Sequence, residues 1–383
     1  MGKHDHPDDV SFPSGTTFIL VHLSCLAAFW TGVTLQAVAI AVILYVVRIF
    51  AIGAGYHRYF AHRAFRTSRI FQFLLAVLAQ SSAQRGVLWW AAHHRRHHKY
   101  SDTEMDVHSP VLRSFFYSHV GWIFVPRNGP TNHDAIRDFS RYPELRALDR
   151  YELVPASMLA IATWLIAGWP GLIVGFCWST VVLWHATFSI NSLAHVFGRR
   201  RYVTGDQSRN NWFLAILTMG EGWHNNHHAY QASVRQGFRW WEYDPTFYIL
   251  KALSAVGLIW DLQYPPKSLI RGEQRLGRHV IEKAAAQLAA SFPINTIASQ
   301  ALATLSRRPT WADLRARVLS AKAEAFWAET DLPQLPSLDD VRSYAKARLA
   351  KTPSLEEIAV CARQRLLELV YARLIVQAGA EST

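Results

Sequence analysis

Half of the chain's 18 histidines fall into four short clusters. The first is His57-Arg-Tyr-Phe-Ala-His62 and the second is His94-Arg-Arg-His97-His98. The third is Asn191-Ser-Leu-Ala-His195 and the fourth is His224-Asn-Asn-His227-His228. Imidazole is the commonest metal-binding side chain and suits iron as well as zinc. Residues three and four apart share a helix face. That rule sets His94 beside His97 and His98, sets His224 beside His227 and His228, and points Asn191 and His195 into one space. The five-residue step from His57 to His62 shares no face on an ideal α-helix, so the two rings reach different ions or the helix ends between them. A lone HxxHH run also reads as a solvent-facing feature. Nine imidazoles exceed the needs of one ion, since a zinc site takes about three or four protein ligands. Two ions, with the nine nitrogens shared between them and Asn191 holding a water, would use the whole set.

Apolar segments at about 12–30, 34–50, 153–167 and 172–190 sit just ahead of or between these clusters. A spanning helix takes roughly 20 apolar residues, with a range of about 17–25. The first two segments are joined by Thr31-Gly32-Val33 and the last two by Gly168-Trp169-Pro170-Gly171, both uncharged hairpin turns. Arg48 is expected to snorkel to the interface. Lys and Arg crowd into 58–150 and the chain beyond Arg199, which places both termini, the long middle segment and all four clusters on the cytoplasmic side. The expected fold is all-α and integral to the membrane. Four transmembrane helices in two hairpins lie under a cytoplasmic helical cap that holds the histidines. The layout is a polar tail 1–11, a membrane domain 12–270 and a helical extension 271–383, whose clearest amphipathic run is 355–376. The shorter apolar run 70–83 reads as an interfacial helix, a helix packed under the cap or a re-entrant segment. His22 and His185 lie inside the spans, where a polar residue is either functional or bonded to a neighbouring helix.

The formal net charge of +12 fits the cytoplasmic face of a membrane protein, and nucleic acid is not an expected partner. Cys25, Cys177 and Cys361 are far apart and form no CxxC, which excludes a cysteine-held zinc ribbon or iron–sulfur cluster within the chain. A metal pair at a bilayer surface suits an apolar substrate, and attack on an unactivated C–H bond needs a redox cofactor.

HRYFAHRAF, HHRRHHKYSDTEMD, NSLAHVFGRRRYVTGDQSRNN and GEGWHNNHHAYQASVRQG resemble the histidine boxes of membrane fatty acid desaturases, closest to the stearoyl-CoA Δ9 type. The resemblance covers roughly residues 15–265. It implies four transmembrane helices and a di-iron centre held by His57, His62, His94, His97, His98, His195, His224, His227 and His228, with Asn191 binding one ion through a water. It also implies a kinked acyl tunnel with Gln84, Trp90 and Thr187 on its wall. The register of HxxHH favours His94 over its neighbour His93. Asp102, Glu104 and Asp106 read as partners for histidine N–H groups, or as a solvated acidic turn. Val107 and Gln231 stand where relatives often carry proline.

The implied activity is O₂-dependent insertion of a cis double bond, at Δ9, during unsaturated fatty acid biosynthesis. The substrate is an acyl-CoA first and an intact phospholipid second, with Arg58, Arg63, Arg66 and Arg69 placed to meet phosphates. The extension carries no HPGG haem signature. Electrons are therefore expected from a separate ferredoxin, rubredoxin or cytochrome b5-like donor with its reductase. Zinc can replace iron in recombinant material. Hydroxylation or oxidative decarboxylation on the same metals is the rival reaction, and a non-enzymatic metal or lipid sensor is a distant third. The expected location is a bacterial inner membrane.

Overall fold

The computed structural model describes residues 15–304 and 335–380, so the polar tail 1–11 lies outside the described residues. The chain divides into two compact units. One is Met1–Arg201 with Gln207–Pro266, and the other is Tyr202–Asp206 with Lys267–Thr383. Among the described residues the structure is mainly helical, with one two-stranded antiparallel sheet that pairs Arg66 with Trp260 and Thr67 with Ile259.

In the first unit, Thr16–Ser24 runs through a 3₁₀ turn, Cys25–Ala27, into the short helix Ala28–Thr31. Gly32 then takes φ +77°, a conformation open to glycine without strain, and turns the chain. Thr34 restarts it as an N-cap, its hydroxyl accepting from Ala37 N at 3.1 Å. Helix Leu35–Ala51 continues without a break as Ile52–Ala61, so the apolar run is longer than the expected 34–50 and carries His57 within it.

The second apolar run, Val154–Val196, has 43 residues. At 1.5 Å per residue a straight helix of that length would be about 65 Å long, twice the ~30 Å hydrocarbon core. It is not straight. Ala167 and Gly168 leave helical geometry, and the chain folds back so closely that a Cβ on Gly171 would lie 2.3 Å from the Thr163 carbonyl oxygen. Among the described residues two helices, Leu35–Ala61 and Val154–Val196, are long and apolar enough to cross a membrane, while Thr16–Thr31 and Arg69–Gln80 are apolar but shorter.

The packing corrects one expectation about buried polar groups and decides another. Arg48 does not snorkel. It is fully buried, donating to Thr180 Oγ1 at 2.8 Å and Ser179 Oγ at 2.6 Å, so it joins the two apolar runs instead of reaching water. His22 and His185 bond to each other, Nε2 to Nε2 at 3.0 Å. His185 Nδ1 meets His119 Nε2 at 3.0 Å, and His119 Nδ1 meets Ser192 Oγ at 2.9 Å. This chain of imidazoles ties Thr16–Ser24 to Ser179–Val196.

Helix Arg69–Gln80 is N-capped by Ser68 and buries Gln72, Leu75, Ala76 and Ala79 while leaving Ile70 and Leu74 exposed. The second unit has its own apolar cores, built from Arg278–Ala290, Ile294–Thr304, Leu338–Arg348 and Leu355–Ala380. Helix Leu338–Arg348 opens with a capping box between Ser337 and Asp340.

Candidate metal centre

The first histidines stand where a helix widens. Ile52–Ala61 is π-helical, with hydrogen bonds running to the fifth residue instead of the fourth. His62 N donates to His57 O at 3.2 Å, one such bond. A five-residue step therefore does return to the same face, and the two rings sit 5.0 Å apart. The helix also ends between them as the second expectation has it, at Ala61 with His62 as its C-cap, whereas rings pointing apart would need α-helical geometry, which this segment does not have.

Helix Val87–Tyr100 carries His94, His97 and His98, Ser179–Val196 carries His195, and the six-residue helix His224–Ala229 carries the rest. The asparagines between these last histidines hold that short helix in place. Asn226 N donates to Asn210 Oδ1 at 3.0 Å and Asn226 Nδ2 to Glu242 Oε2 at 2.8 Å. Asn225 Oδ1 accepts from Arg201 N at 2.7 Å.

The rings collect into two groups, His57, His62, His94, His98 and His227 in one and His97, His195, His224 and His228 in the other. Within each group the nitrogens offered lie within 4.8 Å of one another. His227 Nε2 is 2.9 Å from His57 Nε2 and 2.8 Å from His98 Nε2. His195 Nε2 is 3.1 Å from His224 Nε2. The Nε2 atoms of His62 and His97 are buried and have no hydrogen-bond partner.

Carboxylates behind the rings fix which nitrogen carries the proton. An ionised carboxylate only accepts, so the nitrogen facing it must donate. His97 Nδ1 donates to Asp106 Oδ1 at 2.9 Å, His195 Nδ1 to Asp102 Oδ2 at 3.1 Å, and His57 Nδ1 to Glu221 Oε2. In each case Nε2 is left as a bare lone pair. Burial, reinforced by neighbouring imidazoles, holds His62, His94, His98, His224 and His227 well below the usual histidine range. Neutral imidazole is the metal-binding form. A neutral His227 has at most one proton on Nε2, so hydrogen bonds alone cannot satisfy its close contacts to both His57 and His98, whereas a cation among the lone pairs would. The residues present fit a metal pair.

Glu104 departs from its expected role. It is exposed at the turn and bonds to no histidine, because the turn aims Asp102 and Asp106 inward and the residue between them outward. His93 joins neither group. Its Nδ1 donates to Trp89 O at 3.0 Å, and its ring stacks on Trp89.

A cavity of about 230 Å³ ends beside His94 and is walled by Gln84, Trp90, Thr187 and Asn191. Gln84 Nε2 donates to Thr187 Oγ1 at 3.2 Å across it. Trp90 stacks on His94 with centroids 4.8 Å apart and on Tyr56 at 5.3 Å, so it forms the wall of the cavity next to that histidine.

The family model for fatty acid desaturases matches residues 33–261. The chain belongs to the fatty acid desaturase family. It is 37% identical over 262 residues to an sn-1 stearoyl-lipid 9-desaturase of Synechocystis, covering 66% of this chain and 80% of that one. It is 34% identical over 256 residues to an acyl-CoA 5-desaturase of Anemone leveillei, covering 64% and 77%. It is 36% identical over 255 residues to a chloroplastic palmitoyl-monogalactosyldiacylglycerol delta-7 desaturase of Arabidopsis thaliana, covering 64% and 67%.

This member of the family has a supporting layer that histidine counting did not find. Arg58 is not placed to meet phosphate. It is fully buried and donates to Glu221 Oε1 at 2.9 Å and to both oxygens of Asp244 at 2.9 and 3.1 Å. Glu221 in turn carries His57, and Gln236 Nε2 donates to Glu221 Oε2 at 3.0 Å. Gly53 leaves room for this carboxylate, since a Cβ there would lie 2.7 Å from Glu221 Oε1. The available signal was an acid in GEGW, just ahead of the fourth histidine cluster, although the ring it holds is His57.

Asp106→Asn is expected to lower metal affinity about 10–100-fold, the usual effect of losing the partner behind a metal-bound imidazole. Competition against a chromophoric chelator measures it.

Proposed function

We propose that the nine histidines hold two iron ions and that the protein is an O₂-dependent acyl desaturase forming a cis double bond at Δ9. The observation that carries this reading is the gathering of nine imidazoles into two groups, the first of which reaches the end of the cavity walled by Gln84, Trp90, Thr187 and Asn191 through His94. His57, His62, His94, His98 and His227 would hold one ion, and His97, His195, His224 and His228 the other, with Asn191 holding a water. The chemistry such a metal pair supplies when bound is O₂-dependent removal of hydrogen from two neighbouring methylenes.

The protein's own residues do the positioning. Aromatic walls such as Trp122, Trp184 and Phe188 exclude water along the cavity. The Gln84–Thr187 bond fixes the width at one point, and Trp90 sets how near the chain comes to His94. Asp102, Asp106 and Glu221 keep the ring protons away from the metal-facing nitrogens. Four membrane crossings, made by Thr16–Thr31, Leu35–Ala61 and the two arms of Val154–Val196, would leave both chain ends and the histidines on the cytoplasmic side of a bacterial inner membrane.

Relatives acting at position 9 support the regiochemistry. Both acyl-CoA and acyl-lipid desaturases occur among the relatives, and acyl-CoA is the proposed carrier here. The test is product analysis with purified, iron-loaded protein, dithionite and O₂, offered stearoyl-CoA or vesicles of saturated phosphatidylcholine. A cis-Δ9 monoene from stearoyl-CoA supports the proposal. The monoene from phospholipid alone would move the carrier, and hydroxy acids or terminal alkenes would move the reaction. Thr187→Phe is expected to shift the preferred substrate toward shorter chains, read as the ratio of C16 to C18 products.

A further inference from the structure

We infer that electrons enter the metal pair through an opening beside His62 and His98, from an acidic one-electron carrier protein docked on the basic rim around it. This rests on the reading of the histidines as a redox metal centre. Removing two hydrogens from an acyl chain yields two electrons and two protons. Reducing O₂ to two waters takes four of each. Every turnover therefore draws two electrons and two protons from outside, and the chain has no cysteine cluster to hold an electron-carrying iron–sulfur group of its own.

The opening is lined by Ala61, His62, Arg95, His98, Lys99 and Gln231, with Ala232 at its edge. It shares no residue with the acyl cavity, so a docked carrier and a bound acyl chain would not compete for space. Both of its histidines belong to the five-membered group, which places the rim one imidazole away from the proposed ion.

The rim is positive. Lys99 is exposed and has no carboxylate partner among the described residues. Arg63 keeps 64% of its side chain in solvent. Arg95 donates to both oxygens of Asp138, which also lies 3.6 Å from Arg63. Three cations thus face one carboxylate. Excess charge of one sign around a concave opening attracts a carrier of the opposite sign and orients it on approach. Arg95 also donates to the carbonyls of Phe60 and Ala61, so it shapes the opening, while Lys99 is exposed to meet a partner's carboxylates and Arg63 adds its charge beside Asp138.

The test uses the full-length, iron-loaded protein in nanodiscs with stearoyl-CoA and compares wild type with the Lys99→Glu variant. Electrons come either from a plant-type [2Fe–2S] ferredoxin with its NADPH reductase or from dithionite. The expected result is a fall of about tenfold or more in the ferredoxin-driven rate at low salt, within the range that electrostatic steering commands. The variant's rate should also lose its dependence on ionic strength, while the dithionite-driven rate stays at the wild-type value. A ferredoxin-driven rate and salt slope equal to wild type, with dithionite turnover intact, would overturn this inference alone. An equal loss with both reductants would also overturn it, by assigning Lys99 to the centre itself. Wild type that forms no product with dithionite would overturn the desaturase reading and this inference with it.

Discussion

Replacing Arg58 with methionine is expected to destabilise the first unit by about 3–5 kcal/mol, the usual loss when one partner of a buried ion pair is removed. The guanidinium lies between Glu221 and Asp244 and is fully buried, as Asp244 nearly is. Methionine matches much of its volume but leaves two carboxylates without a countercharge. The damage should spread along two lines. Asp244 also caps helix Pro245–Ala255, accepting from Phe247 N at 3.0 Å, and Glu221 holds the His57 ring. Thermal unfolding in detergent should show a drop in Tm of about 10 °C, at roughly 2–4 °C per kcal/mol for a unit of this size. Arg58→Lys keeps the charge but cannot reproduce the two-pronged contact with Asp244, so it should fall between wild type and methionine.

The second large effect is expected from His227→Ala. His227 Nε2 stands between His57 Nε2 and His98 Nε2, so its ring is the meeting point of three segments far apart in sequence. Its removal should abolish product formation, exceeding the roughly 10–100-fold loss expected when only an outer partner of a ligand is changed. Stability should change far less than with Arg58→Met, since the imidazole is neutral and its loss strands no charge. Product analysis and Tm measured on the same preparation separate the two effects.

The site was legible in sequence where spacing follows a regular helix. His94, His97 and His98 share a face of Val87–Tyr100 as their numbering suggests, and so do His224, His227 and His228 on their single short helix. The relation of His57 to His62 was not legible. Nothing in the residue types of IGAGYHRYFA announces wider turns, and only the observed i to i+5 bond explains why the pair converges. Arg48 and Arg58 were misread for a common reason. A cation near the end of an apolar run resembles an interfacial anchor, yet the groups that bury them lie 131 to 186 residues away in sequence. Long-range pairing of this kind leaves no periodic trace. The acidic turn was legible only in part, since Asp102 and Asp106 face histidines while Glu104 faces solvent. The apolar segments were found, but their ends were not. The first long helix runs on to Ala61 because π turns keep it helical through the first histidine cluster.

The central claim is that the two histidine groups bind two ions, and metal stoichiometry tests it most directly. The protein would be stripped with a chelator, reloaded anaerobically with Fe²⁺, freed of excess metal and assayed for iron per chain. Two irons per chain are expected in wild type. His62→Ala, which alters only the five-membered group, and His224→Ala, which alters only the four-membered group, should each retain close to one. A wild-type value of one or zero, or a value of two that neither substitution lowers, would contradict the account.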